Sequence, residues 1–240
     1  MIPKKIHYCW FGKGPLPDKD KRCIESWKKF CPDYEVIEWN EDNYDLNRNE
    51  YMHAAYREKK WGFVPDYARF DIIYREGGFY LDTDVELVNS LDELRTNHGY
   101  MGFEGKIWIN GGIGFGAEAG NNTIKELRDM YKSISFYNAD GSLNLKPSPY
   151  YITEYLTNIG LVRNDSFQSV GELKIYPTEY FAAKDYESGI VNTTEKTISI
   201  HHYNASWQTN KKKRVQKLKR IIGVDNFNKL VKLKKNLLRK

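Results

Sequence analysis

Phe63 to Leu91 reads FVPDYARFDIIYREGGFYLDTDVELVNSL, and this stretch decides the fold. Pro65 suits a first helical position, Tyr67 to Glu76 carries apolar residues at helical spacing, and Gly77-Gly78 stops the helix with a pair that tolerates left-handed dihedrals. A strand is expected at once, because Phe79, Leu81 and Val85 are apolar and β-prone. That run ends in Asp82-Thr83-Asp84, which a buried strand end carries only with a partner for the charge. A divalent metal is the simplest partner. Hard carboxylate oxygens suit Mg or Mn, and either ion would neutralise a diphosphate, so the pair suggests a nucleotide-diphosphate site. On the preceding helix Asp66 and Arg69 are three apart and share a face, within reach of the same ligand.

Outward from this stretch, Ile6 to Trp10 reads as a first buried strand, followed by a loop over Phe11 to Pro17. A helix is then expected with Asp20 as N-cap and Cys23, Ile24, Trp27 and Phe30 or Cys31 facing inward, ended by Cys31-Pro32. Tyr34 to Trp39 reads as a second strand and Glu50 to Lys60 as a second helix. Strands alternating with helices predict an α/β fold with a mainly parallel, Rossmann-like sheet covered on both faces. In such sheets ligands bind beyond the carboxyl ends of strands, which would put Trp10 and the DTD at one crevice. After the DTD, Ser90 to Glu93 reads as an S-x-x-E capping box. Strands are expected over Tyr100 to Phe103 and Ile107 to Phe115, broken at Asn110-Gly111-Gly112, then a helix over Asn122 to Phe136. A polar loop over Asn138 to Ser148, a helix over Tyr150 to Thr157, a strand over Leu173 to Tyr176 and a strand over Thr197 to His202 complete the reading.

The ordered blocks IHYCWFG, PDYARFDIIYREGGFYLDTDVE, INGGIGFGAEAGN, SPYYITEYL, IYPTEYF and HHYNASW span roughly residues 1 to 208. In this order they resemble the DXD-containing glycosyltransferase family 32 of the capsular polysaccharide type. That family is related to the Golgi initiating mannosyltransferases and distantly to the glucosylating bacterial toxins. A lone D-x-D is a weak signal, whereas ordered blocks with matching internal spacing form a strong one. The resemblance implies a GT-A fold over 1–208, a nucleotide-sugar donor and a Mn or Mg ion. It implies that Asp84 ligates the metal directly and that Asp82 touches the ribose and, through water, the metal. Trp10 would stack on the nucleobase, Tyr80 would line the nucleoside pocket, Asp66 would hold donor-sugar hydroxyls, and Arg69 the sugar or diphosphate. Asn110 and Gly111 would lie against the donor sugar, where backbone without side chains allows close approach. Ser206 and Trp207 match the Ser and Trp near the leaving diphosphate, where an indole N–H stabilises developing charge. Pro147-Ser148-Pro149 departs from the family's usual Gly-Pro.

Each residue has a plainer reading beside this one. Trp10 could be an ordinary core tryptophan, Asp66 and Arg69 a helix-surface ion pair worth about 0.2 to 0.5 kcal/mol, and Asn110-Gly111 a simple turn. Adjacent histidines on a strand point to opposite faces, so only one of His201 and His202 can ligate a metal. His202 is favoured and His201 is the alternative, and both could merely hydrogen-bond.

Of the 240 residues, 40% are hydrophobic, 29% charged and 15% aromatic, enough to build a core in one domain. Three cysteines without a C-x-x-C pair indicate neither a disulfide framework nor a zinc site. The first residues are too polar for a secretory signal and no run is long enough to span a bilayer, so a cytoplasmic location is expected. The net charge of +5 is unevenly divided. From Lys211 onward stand thirteen Lys or Arg and one acid, a net +12, which leaves 24 basic and 31 acidic residues before them, a net −7. Residues 209–240 read as a basic amphipathic helical tail with a break near Gly223 to Asn226, suited to an anionic membrane at the inner leaflet. Nucleic acid is disfavoured because Phe227 is the single aromatic there for base stacking. A helix packing on the body is the competing reading.

The function expected is a metal-dependent retaining transfer of a hexose, from a UDP-hexose such as UDP-galactose or UDP-glucose, to a lipid-linked saccharide or oligosaccharide in capsule or lipopolysaccharide synthesis. Three alternatives stay open. They are a GDP-mannose-dependent mannosyltransferase, a phosphohydrolase with an aspartyl nucleophile, and a non-enzymatic membrane or nucleic-acid binding module.

Overall fold

In the structure, a computed structural model, residues 1–204 are described together with 215, 217, 219–223, 226, 227 and 229. In chain order the strands and helices are β1 (Lys5–Cys9), α1 (Asp18–Phe30), β2 (Glu35–Trp39), α2 (Glu50–Arg57), α3 (Pro65–Glu76), β3 (Gly78–Tyr80) and β4 (Val85–Leu87). There follow β5 (Gly99–Glu104), β6 (Trp108–Ile109), β7 (Phe115–Ala117), α4 (Asn122–Asp129), α5 (Ser148–Asn158), β8 (Gln168–Val170), β9 (Leu173–Tyr176), α6 (Thr178–Phe181) and β10 (Ser199–His201).

Helix α3 has Pro65 in its first turn and stops at Gly77, whose φ of +63° is followed by +105° at Gly78. A Cβ at Gly77 would stand 2.8 Å from the Ala119 backbone nitrogen, and one at Gly78 2.8 Å from the Lys5 carbonyl, so both handedness and space require glycine. The tight stop sends the chain directly into β3. Pairing of β3 beside β1 is parallel, with Ile6 opposite Phe79. Along β3 the side chains alternate. Phe79 enters the core shared with Ile6 and Trp27 of α1, whereas Tyr80 enters the one shared with Phe70 of α3 and Phe115. The sheet therefore lies between two apolar layers, as an α/β fold requires.

The large sheet runs β2-β1-β3-β7-β5-β9-β8, with β6 paired to β5. The expected mainly parallel sheet holds for β2-β1-β3 and for the β5-β9 pair, but β7 is antiparallel to both β3 and β5, and β8 is antiparallel to β9. The sheet is mixed because the β3-to-β7 connection returns through β5 and β6 rather than through a crossover helix. Strand β4 leaves this sheet altogether and pairs antiparallel with β10, bringing His201 opposite Val85. The indole N–H of Trp27 donates to the Val85 carbonyl at 2.7 Å, pinning that ribbon to α1.

Several local expectations differ from the structure. Asp20 is not the N-cap of α1, which starts at Asp18 after Pro17. Instead it is a buried residue inside the helix. Ser90 forms no capping box: its hydroxyl donates to Asp92 at 2.9 Å and accepts that residue's N–H at 3.2 Å, and only a 3-10 turn follows over Asp92–Thr96. Helix α2 ends at Arg57 rather than Lys60, since Lys59 turns left-handed at φ +53°. The helix after Asn121 becomes a 3-10 turn over Met130–Lys132. Among the described tail residues 215, 217 and 219–222 are helical, and Gly223 leaves the helix at φ +83°. Lys219 pairs with Glu187 at 2.9 Å and the Arg220 guanidinium donates to the Tyr186 carbonyl at 3.3 Å, so this part of the tail lies on the body. No helix among the described residues is long and apolar enough to cross a membrane.

His7 is the buried polar group of β1. Its Nε2–H donates to the Gly77 carbonyl at 2.9 Å while its Nδ1 accepts the Trp39 indole N–H at 3.1 Å, an arrangement that requires the neutral ring. Burial pushes its pKa down to about 4. The unfolded chain therefore takes up the proton first, near pH 6.5, and the contribution of neutral His7 is full above that pH and lost as pH falls toward 4. Between pH 7.5 and 4 the wild type should lose roughly 3 kcal/mol more stability than His7→Gln, read from urea midpoints at each pH. Parallel pH profiles for the two chains would sink the assignment.

Candidate active site

Because β1 and β3 are parallel neighbours, their carboxyl ends open on one side. Trp10 follows the first and the DTD the second. The DTD forms a turn, with the Val85 N–H donating to the Asp82 carbonyl at 3.0 Å, and lies between β3 and β4 rather than inside a strand. A cleft of about 870 Å³ opens there. Trp10, Asp66, Arg69, Asp82, Asp84, Asn110 and His201, all singled out from sequence, line it.

Arg69 is nearly inaccessible and sits between two carboxylates, 3.2 Å from Asp66 and 3.6 Å from Asp82, with its guanidinium 5.2 Å above the Tyr80 ring. This is a buried arrangement, not a helix-surface ion pair. Burial raises the Asp66 carboxyl to about 6 even though Arg69 and hydrogen bonds from Ser148 and Tyr51 oppose the shift. Asp82 is likewise raised by burial, against Arg69 and with the added repulsion of Asp84. Beneath it the Tyr80 hydroxyl donates at 3.0 Å.

Asp84 behaves in the opposite sense. Burial alone would raise it, but His201 at 3.3 Å and the Asn204 N–H at 2.7 Å outweigh burial and hold it near about 2. The other ring nitrogen of His201 faces Glu104 at 3.1 Å. Flanked by two carboxylates, His201 is raised to about 10 despite its burial, so at neutral pH it is an imidazolium donating to both. Asp20 completes the acidic wall, accepting from the Thr83 hydroxyl at 3.2 Å and the Asn204 amide at 2.5 Å. Burial and the charge of Asp84 push its pKa up.

The Asn110-Gly111-Gly112 turn is pressed against this wall. The Asn110 side chain accepts the Gly112 N–H at 2.7 Å and donates to Glu104 at 3.0 Å, and a Cβ at Gly112 would stand 2.4 Å from an Asp82 oxygen. The missing side chain is what lets the backbone approach the carboxylate.

Three expectations change on these observations. His202, favoured over His201, points away from the DTD: its Nε2 faces Glu86 at 2.7 Å and its Nδ1 faces Lys184 at 3.4 Å. The register of β10 on β4 turns His201 to the carboxylates instead. Tyr80 is fully buried under α3 and supports Asp82 from below rather than lining a nucleoside pocket. Gly111 is buried against Arg69, where a Cβ would stand 3.3 Å from that side chain, and does not line the cleft. Ser206 and Trp207 lie outside the described residues. Conversely, Asp20, Glu104 and Asn204 join the site without having been singled out. Asp20 had been assigned a capping role, and Glu104 sits in no recognisable motif.

Carboxylates cluster on one wall of the cleft, where Asp20, Asp66, Asp82, Asp84 and Glu104 outnumber the positive charges of Lys19, Arg69 and His201. This surplus fits a divalent cation in hard-ligand chemistry. Among the described residues no group of three or more His, Cys, Asp or Glu side chains closes around one point, so oxygens of a bound ligand would have to complete a coordination shell.

Comparison with known proteins bears on part of this wall, the residues from Asp20 to the DTD. Residues 17–100 match the model of the glycosyltransferase sugar-binding region containing a DXD motif. The chain is 29% identical over 112 residues to Subversion of eukaryotic traffic protein A of Legionella pneumophila, a match covering 35% of this chain and 17% of that protein. It is 31% identical over 105 residues to inositol phosphoceramide mannosyltransferase 3 of Schizosaccharomyces pombe, covering 39% of this chain and 27% of that one. The chain thus spans 27% or less of these curated relatives. Among solved structures, the PaToxG glycosyltransferase superposes with a TM-score of 0.48 at 17% identity, over 65% of this chain and 69% of that one. The galactosyltransferase LgtC, in complex with donor and acceptor sugar analogs, does so at 0.42 and 13%, over 94% of each. The DTD and the α3 pair Asp66 and Arg69 thus fall inside the region that is similar to the DXD-containing sugar-binding region of glycosyltransferases.

Proposed function

We propose that the chain is a metal-dependent retaining hexosyltransferase that takes a hexose from a UDP-sugar and passes it to a lipid-linked saccharide, in the manner of capsule or lipopolysaccharide assembly. The observation that carries this reading is the meeting of Trp10, Asp66, Arg69, Asp82 and Asp84 in one cleft beyond the carboxyl ends of β1 and β3. Mn or Mg, held by Asp84 and Asp82, would supply charge neutralisation to the donor diphosphate. Arg69, fixed between Asp66 and Asp82, adds a fixed positive charge on the same side. Trp10, whose indole N–H donates to the Gly14 carbonyl at 2.6 Å, presents a held ring for a nucleobase. Trp61, Trp108 and Tyr150 line the cleft as apolar surfaces for the acceptor saccharide and shed water around the reacting bond. The sugar would leave and the acceptor attack from one face. The +12 tail supports residence at an anionic inner leaflet, as part of 209–240 distinct in role from the catalytic body.

Thermal unfolding with UDP, GDP and their sugar conjugates, each with and without Mn, tests the reading. A nucleotide at a hundred times its Kd stabilises by about 2.7 kcal/mol, or roughly 5 to 11 °C for a chain of this size. A Mn-dependent rise with UDP is the expected result. A rise with GDP alone would replace the donor with GDP-mannose, the reading that the similarity to a mannosyltransferase favours. No rise with either would remove the nucleotide-sugar assignment.

A further inference from the structure

Behind the β4–β10 ribbon, on the side His202 faces, lies a second cavity of about 570 Å³. Its cationic lining comes from three separate parts of the chain. Lys19 and Arg22 stand one turn apart on α1, Lys184 lies in the loop after α6, and Lys217 and Arg220 stand one turn apart in the helical part of the tail. Arg220 is held on the body through the Tyr186 carbonyl, next to the Lys219–Glu187 ion pair. Among the described lining residues the one carboxylate, Glu86, is already engaged by His202 at 2.7 Å. Among the described residues no carboxylate lies within ion-pair distance of Lys19, Arg22, Lys184 or Lys217. Five like charges around one concavity repel one another, and an anion placed among them removes that cost.

We propose that this cavity is a second anion site, built to take a phosphate or diphosphate group. Arg forks and Lys ammonium groups together match the oxygens of such a group. A nucleic-acid strand fits less well, because among the described lining residues Tyr203 alone offers an aromatic ring, apart from His202, and it is already packed on His201 at 4.2 Å and on Tyr186 at 5.1 Å. Lys19, Tyr203 and Asn204 line both this cavity and the DXD cleft, so the two adjoin. One molecule can therefore place a phosphate here and a saccharide beside the DTD. Assigning that molecule as the acceptor rests on the glycosyltransferase reading, whereas the anion site itself does not.

The test is calorimetric titration of the full chain with inorganic pyrophosphate at physiological salt in EDTA, which withholds divalent ions from the DXD cleft. The wild type should bind, and Arg22→Gln and Lys184→Gln should each weaken binding at least tenfold. A Lys28→Gln/Lys29→Gln chain, altered elsewhere on α1, should bind within twofold of wild type. Absence of binding by the wild type, or an equal loss in the α1 control, overturns the proposal. Displacement of pyrophosphate by a saccharide diphosphate on a short alkyl chain assigns the group to the acceptor. Displacement by phosphatidylglycerol vesicles assigns it to a lipid headgroup. Displacement by neither overturns an ester-linked occupant. Since UDP and Mn binding is read in a separate assay, either proposal can fail alone.

Discussion

Asp84→Asn is expected to lower sugar transfer by about two to three orders of magnitude, the scale on which a single group stabilising transition-state charge is lost. The substitution keeps the shape of the side chain and an acceptor for the Asn204 N–H at 2.7 Å. It removes the charge that His201 and that N–H hold down to about 2. Asp84 is thus the carboxylate kept ionised at every ordinary pH, whereas burial raises its neighbour Asp82. If metal-assisted handling of a diphosphate is the chemistry, the ionised member has to be indispensable. The check is the initial rate of transfer from the donor that the thermal scan selects, with Mn present. Circular dichroism would confirm the fold, and the Mn-dependent rise in midpoint should vanish alongside the rate. Wild-type turnover in the variant would remove the basis of the assignment.

The second large effect concerns stability. Arg69→Met should cost about 3 to 5 kcal/mol, because it leaves the buried Asp66, and the half-buried Asp82 beside it, without their shared cation. For a chain of this length that is a fall of roughly 6 to 20 °C in the unfolding midpoint. Methionine fills much of the volume, so the loss reports charge more than packing. Asp66 is fully enclosed and its carboxyl already sits at about 6. The double variant Asp66→Asn/Arg69→Met should therefore recover part of the loss by removing the stranded charge, a coupling that a double-mutant cycle measures directly. Additive losses would show that the two residues do not act as a pair.

These two residues also mark how far local sequence reaches. Pro65 and Gly77-Gly78 announce the limits of α3 because proline and left-handed glycine act through their own dihedrals. The same short-range signals set the strand at Leu173–Tyr176 and put Trp10 and the DTD at strand ends. Once α3 and β3 are placed, the closeness of Asp66, Arg69 and the DTD is almost a local matter. Asp20 is different, since it meets Asn204 across 184 positions, and His201 meets Glu104 across 97. No periodicity spans such separations.

The two histidines state the division most clearly. Strand alternation in the sequence determines that His201 and His202 face opposite ways, and nothing within ten residues of them says which way is inward. That is decided by the pairing of β10 on β4, which sets His201 opposite Val85. A slip of one residue would exchange their faces. Sequence alone determined the helix, the stop, the acidic turn and the sign of the tail, all properties of neighbouring residues. Tertiary structure decided which histidine faces the DTD carboxylates, the buried state of Tyr80 and the recruitment of Asp20 and Glu104, because each depends on which distant strand supplies the partner.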